Sequence, residues 1–167
     1  MQNMNPEKFL YELKELRCHA DWHKRYFNER SRKYQRIDYW LKSLIGVAAL
    51  GGAGLCGVKE LRIIGAFIAG ACAVIMANVL PNFKWDAIVA GFKDEQENWI
   101  KIHQGYEDLI RVMEISDRGE ILLQEFQRVR EMQRAAALNE KTLPIDRALL
   151  EKLEAEVRNY YELDGQK

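Results

Sequence analysis

His19 and His23 stand four residues apart, with Cys18 beside them, so a helix would set both imidazoles on one face. Imidazole nitrogen and thiolate sulfur are preferred zinc donors, and the i, i+4 spacing can begin such a site. A closed centre needs further ligands, and the third histidine, His103, lies far along the chain. The expected reading is therefore two polar members of a helical interface, with no metal and no cofactor. Cys56 and Cys72 complete the cysteines; the number is odd, no CxxC pair exists, and a disulfide framework is not expected. The run Gly52-Ala53-Gly54-Leu55-Cys56-Gly57 has the look of a phosphate-binding loop, but it lacks the lysine and the preceding strand. GxSxG and HExxH patterns are absent from the chain. The residues give no ground for an enzyme.

The basic residues offer a different chemistry. Lys24, Arg25, Arg30, Arg32, Lys33, Arg36 and Lys42 cluster just ahead of the first long uncharged stretch. Arg25, Arg32, Lys33, Arg36 and Lys42 are the candidates for contact with anionic lipid headgroups, each attracted by about 1 kcal/mol near such a surface. The same cluster could serve as a topology signal alone. Over the whole chain 25 basic residues balance 25 acidic ones, so nothing points to a nucleic-acid partner. Residues 1–42 carry ten basic and six acidic residues, net +4, whereas 81–167 carry thirteen and eighteen, net −5.

The elements that would position these residues are helical. Mean hydropathy is −0.36, yet Ser43–Val58 and Ile63–Leu80 contain no charge. Only Lys59, Glu60, Leu61 and Arg62 separate the two runs, which makes them antiparallel neighbours. They are expected to form a two-helix transmembrane hairpin, its spans at 43–58 and 63–80, slightly short for a hydrocarbon core of about 30 Å. Small residues recur every four positions, at Ala49, Ala53 and Gly57 and again at Gly65, Ala69, Ala73 and Ala77. Such stripes let helix backbones approach closely, within one hairpin or between subunits. Ser43 and Asn78 are candidates for a pore-lining or polar interhelical contact. The basic flank places the N-terminus inside, and two crossings return the C-terminus to the same side. The expected location is the bacterial inner membrane, both termini cytoplasmic. A charged first forty residues argues against a cleaved leader.

Residues 1–42 read as an amphipathic arm, opened by Asn5 as N-cap and Pro6 at the first helical position. Its apolar seam steps through Phe9, Leu13, Leu16, Ala20, His23, Phe27, Arg30, Tyr34, Ile37, Leu41 and Leu44, and a single helix is expected over about 6–58. After Pro81 a second seam runs from Trp85 through Phe92, Glu95, Trp99, Ile102 and Tyr106 to Met113. Asp117 and Glu120 read as a capping box for a further helix reaching about Leu138. Asn139–Pro144 reads as a turn before a last helix over about 145–163. The expectation is an all-α fold and a single structural domain. Its hairpin has long cytoplasmic helical extensions, and helices of the 81–167 region fold back on the stalk.

Three features together resemble a known family. One is the segment Trp22-His23-Lys24-Arg25-Tyr26 ahead of the hairpin. The others are the helix bearing Trp99, Tyr106 and Leu109, and the terminal Leu143-Pro144-Ile145-Asp146-Arg147-Ala148-Leu149-Leu150. The layout is similar to the SLATT proteins, two-transmembrane effectors of bacterial nucleotide-signalling and conflict systems. The resemblance implies a membrane-perturbing or pore-forming oligomer in antiviral defence, triggered by a separate sensor or nucleotide-signal synthase. It carries no catalytic residue. The competing expectation is a non-conducting membrane-anchored scaffold or adaptor.

Overall fold

In a computed structural model that describes residues 6–115 and 119–161, the chain is all-α, with no strand among those residues. Helix α1 runs unbroken over Pro6–Leu55. A turn over 56–61 leads into α2, Arg62–Val74, whose path continues through a π turn at Ile75–Val79 and a 3₁₀ turn at Leu80–Phe83. Lys84, in the left-handed region at φ 46°, breaks the chain before α3, Trp85–Ile115. Helix α4, Gly119–Asn139, and a 3₁₀ turn at Glu140–Thr142 precede α5, Arg147–Tyr160. The expected caps Asn5 and Asp117 lie outside the described residues.

The transmembrane hairpin is corrected by these boundaries: among the described residues no helix is long and apolar enough to cross a membrane. Counting uncharged residues overstated the spans. The first α-helix ends at Leu55, three residues before Val58, and extending it backwards brings in Lys42 and Asp38. The second has 13 α-helical residues before its geometry changes. At 1.5 Å per residue that is about 20 Å, against a hydrocarbon core of about 30 Å. The expectations of a pore-forming protein in the inner membrane, and of cytoplasmic termini set by two crossings, fall with the spans.

The chain divides into two compact units, residues 1–30 with 91–167, and residues 31–90. In the first unit the apolar seams of α1 and α3 form the core. Leu13, Ala20 and Phe27 are buried from α1; Phe92, Trp99, Ile102, Tyr106 and Leu109 are buried from α3. Burying rings of this size supplies much of the unit's stability, since each Trp or Phe removes about 150–250 Å² from water. Helix α4 adds Leu122, Val129 and Ala136, and meets α1 through an edge-on contact between Phe9 and Phe126 at 5.2 Å. Helix α5 contributes Leu153 and Val157, the latter in one cluster with Cys18 and Trp22. The close approach of α3 and α4 depends on Gly105, where an added Cβ would lie 2.6 Å from a Val129 methyl.

The second unit is a hairpin built differently. Its apolar core cluster is Ile45, Cys72 and Leu80, flanked by Leu41, Ala49 and Ile68. Tyr34 and Trp85 pack with ring centroids 5.4 Å apart.

Candidate functional site

Within the hairpin, α1 and α2 touch almost backbone to backbone. A Cβ placed on Gly65 would lie 2.5 Å from the Gly52 carbonyl oxygen and 2.7 Å from the Cys56 nitrogen. One placed on Gly52 would meet the Ala69 nitrogen at 2.9 Å and the Gly65 oxygen at 3.0 Å. The contacting line is therefore Ile45, Ala49 and Gly52 against Gly65, Ile68, Ala69 and Cys72. Of the small residues singled out by spacing, Gly65 is buried and Ala49 and Ala69 are half-buried. Ala53, Gly57, Ala73 and Ala77 are exposed. Cys56 lends its thiol to the turn, donating to the Gly52 carbonyl at 3.4 Å.

Outside this contact, apolar side chains stand exposed on the outer sides of both helices. Leu44, Val47 and Leu50 on α1, with Ile63 and Phe67 on α2, are between 69% and 86% exposed. Gly46, Gly51, Gly54 and Gly70 have nothing within 4 Å of where a Cβ would stand, so backbone is open there as well. Ser43 is half-buried. Asn78 donates its amide to the Val74 carbonyl one turn back at 3.3 Å, and its own carbonyl accepts from Asn82. Among the basic candidates, Lys42 pairs with Asp38 at 2.7 Å, which raises its pKa through that hydrogen bond, and Arg36 is exposed. Arg32 and Lys33 are exposed but engaged by partners.

In the helical body the polar groups are absorbed by one another. Arg25 pairs with buried Asp21 at 2.8 Å, beside Lys24 at 2.6 Å, and its guanidinium lies over Tyr160. The two cations hold the Asp21 carboxyl below the usual range against the opposing effect of burial, which is the largest single influence on it. His23 stacks on Trp22 at 3.9 Å and on Trp99 at 4.1 Å, and its Nδ1 stands 2.7 Å from Glu140 Oε1. His19 lies 4.4 Å from His23 between ring centroids, but its Nδ1 faces Gln133 Nε2 at 3.3 Å. Gln133 in turn accepts from Tyr106 at 2.7 Å and from Arg130 at 3.2 Å. Burial, then His23, Arg130 and Arg158, push the His19 pKa down to about 4, so the ring is neutral. Burial likewise lowers His103, whose Nε2 is 3.4 Å from the Tyr161 hydroxyl. Among the described residues no group of three or more His, Cys, Asp and Glu could hold a metal.

A second polar centre joins α1 to the start of α5. Arg30, a charged member of the α1 seam, is buried. It donates to Asp146 Oδ2 at 3.0 Å and to the Pro144 carbonyl at 3.1 Å. Asp146 also caps α5, accepting from the Leu149 amide at 3.3 Å, while its own amide donates to the Tyr26 hydroxyl at 2.8 Å. The signal for this centre was present only as an Asp placed where a helix could start after Pro144; its partners lie 116 and 120 positions away.

Comparison with known protein families, curated proteins and solved structures finds no match to the chain.

Proposed function

We propose that the protein is a non-catalytic assembly module, an effector or scaffold that works by joining further copies of itself through the hairpin. One observation carries the reading: Leu44, Val47 and Leu50 on α1, and Ile63 and Phe67 on α2, are uncovered in a single chain. Large exposed apolar patches are uncommon on monomeric proteins and mark interaction sites. The open glycines on the same unit suit close packing against another helix. The helical body supports the reading from the other side. His19, His23 and Arg30 are each occupied in holding helices together, which suits a framework more than a reaction centre.

The test is the mass of the full chain in solution by light scattering, for the wild type and for Leu50→Glu with Phe67→Glu. An oligomeric wild type and a folded monomeric variant are expected. A wild type that stays monomeric at high concentration, or that floats with lipid vesicles as a monomer, overturns the reading. The likeness to SLATT effectors extends the proposal: assembly would be the output state of a bacterial conflict system, set off by a separate sensor or nucleotide-signal synthase. Growth arrest on expression with the neighbouring gene products, lost in the double Glu variant, is its expected signature.

A further inference from the structure

A cavity of about 320 Å³ opens in the helical body where α1, α4 and α5 meet. Its walls divide by chemistry. Leu16, Cys18 and Trp22 from α1 give an apolar side. The Cys18 thiol belongs with them, because burial pushes its pKa up to about 11 and keeps it uncharged. Facing them are Arg130 and Gln133 from α4 and Arg158 from α5.

The two arginines differ in a way that decides what could enter. Arg158 is already matched: its Nε donates to Glu154 at 3.2 Å and its Nη1 stands 3.6 Å from Glu15, itself a wall of the cavity. Arg130 has no carboxylate partner among the described residues. Its guanidinium meets the Gln133 oxygen at 3.2 Å, the Tyr106 hydroxyl and the Phe126 ring at 5.9 Å. A guanidinium carries five donors in a planar fork, so most of those of Arg130 are left for another acceptor. Gln133 is oriented as well: its oxygen takes hydrogen bonds from Tyr106 and Arg130, which turns its amide nitrogen toward His19. The cavity thus holds one guanidinium with no carboxylate partner among the described residues, a neutral imidazole and an apolar wall.

We propose that this cavity binds a small monoanionic carboxylate with an apolar body, the carboxylate seated on Arg130 and the body against Leu16 and Trp22. A carboxylate fits because it accepts two parallel bonds from one guanidinium. No more than a single negative charge fits, because Glu15 and Glu154 already exceed Arg158 by one charge, and a dianion would be repelled by Glu15. The volume lies at the small end of ligand pockets, which suits a single ring rather than a chain segment. This site is independent of self-association through the hairpin, since every wall belongs to the helical body.

The test uses benzoate as probe, with neutral benzamide and inorganic phosphate as comparisons, titrated into the full chain by calorimetry. Benzoate is expected to bind, and to weaken about tenfold or more in Arg130→Gln, the loss of one charge-assisted pair. Arg130→Lys, which keeps the charge without the fork, should fall between. Bound benzoate should also raise the His19 pKa from about 4, because its charge offsets that of Arg130; the imidazole proton shifts report this by NMR. Circular dichroism of each variant separates lost binding from lost folding. Equal binding of benzoate and benzamide, unchanged affinity in a folded Arg130→Gln, or an unmoved His19 would each overturn the site. Phosphate binding more tightly than benzoate would overturn the choice of a carboxylate.

Discussion

The two units of this chain solve the problem of helix packing in opposite ways. In the helical body, large rings fill the space between helices: Trp99, Tyr106 and Phe92 are wholly buried, and the buried Asp21, His23 and Arg30 find named partners. In the hairpin, side chains are removed from the contact, and glycine lets two backbones meet at Gly52 and Gly65. The first device turns apolar surface inward. The second leaves Leu50, Ile63 and Phe67 outward, because glycine contacts consume little side chain. The difference teaches that a tight helix pair is not thereby a finished one. Backbone proximity can be complete while most of the apolar surface still faces out.

Three perturbations test that contrast, the largest first. Trp99→Ala removes a fully buried ring stacked on His23 and should cost about 3–5 kcal/mol in urea unfolding, with exchange protection lost first among residues of the helical body. Equal loss in the hairpin amides would break the contrast. Acid comes second. His19 is neutral in the folded protein with a pKa near 4, against an ordinary 6.5, so the unfolded chain takes up its proton first. The stability this gives is whole above pH 6.5 and declines as pH falls toward 4, by about 3 kcal/mol in all. His19→Gln should flatten that part of the pH profile. Third, Gly65→Ala must push two backbones apart and should cost about 1–3 kcal/mol, read as faster exchange over residues 45–72. Gly70→Ala meets nothing within 4 Å and should instead stabilise by about 0.5–1 kcal/mol through helix propensity. Similar outcomes for Gly65 and Gly70 would dissolve the claim that backbone contact holds the hairpin.

The helical body was far more legible in the sequence than the hairpin, for a physical reason. A seam of large residues has one phase: the spacing from Phe92 to Leu109 names the buried face of α3 correctly, Glu95 included. The seam of α1 holds from Leu13 to Arg30 save at Leu16, which is half-buried. Past Arg30 it is lost: Ile37 is exposed, and Ile45 rather than Leu44 is buried. Small residues carry no such phase. Ala48, Ala49, Gly51, Gly52, Ala53 and Gly54 occupy most faces of the helix, so several four-residue lines can be drawn through them. Which line makes contact is decided by the turn at 56–61. The π turn at Ile75–Val79 adds a further offset, since spacing learned on α-helix does not continue through it to Ala77 and Asn78. The spans failed at the same place, because the absence of charge does not fix where α geometry ends. The Arg30–Asp146 pair was invisible for want of any local pattern linking positions so distant.

Asp146 has a consequence for the order in which the molecule is made. Helix α5 has 14 residues, a length at which an isolated helix in water is marginal, with nucleation as the costly step. The residue that begins it is the same one that α1 grips through Arg30 and Tyr26. The last helix is therefore nucleated by the first: the far end of the chain winds up only when the near end is already there to hold its opening turn.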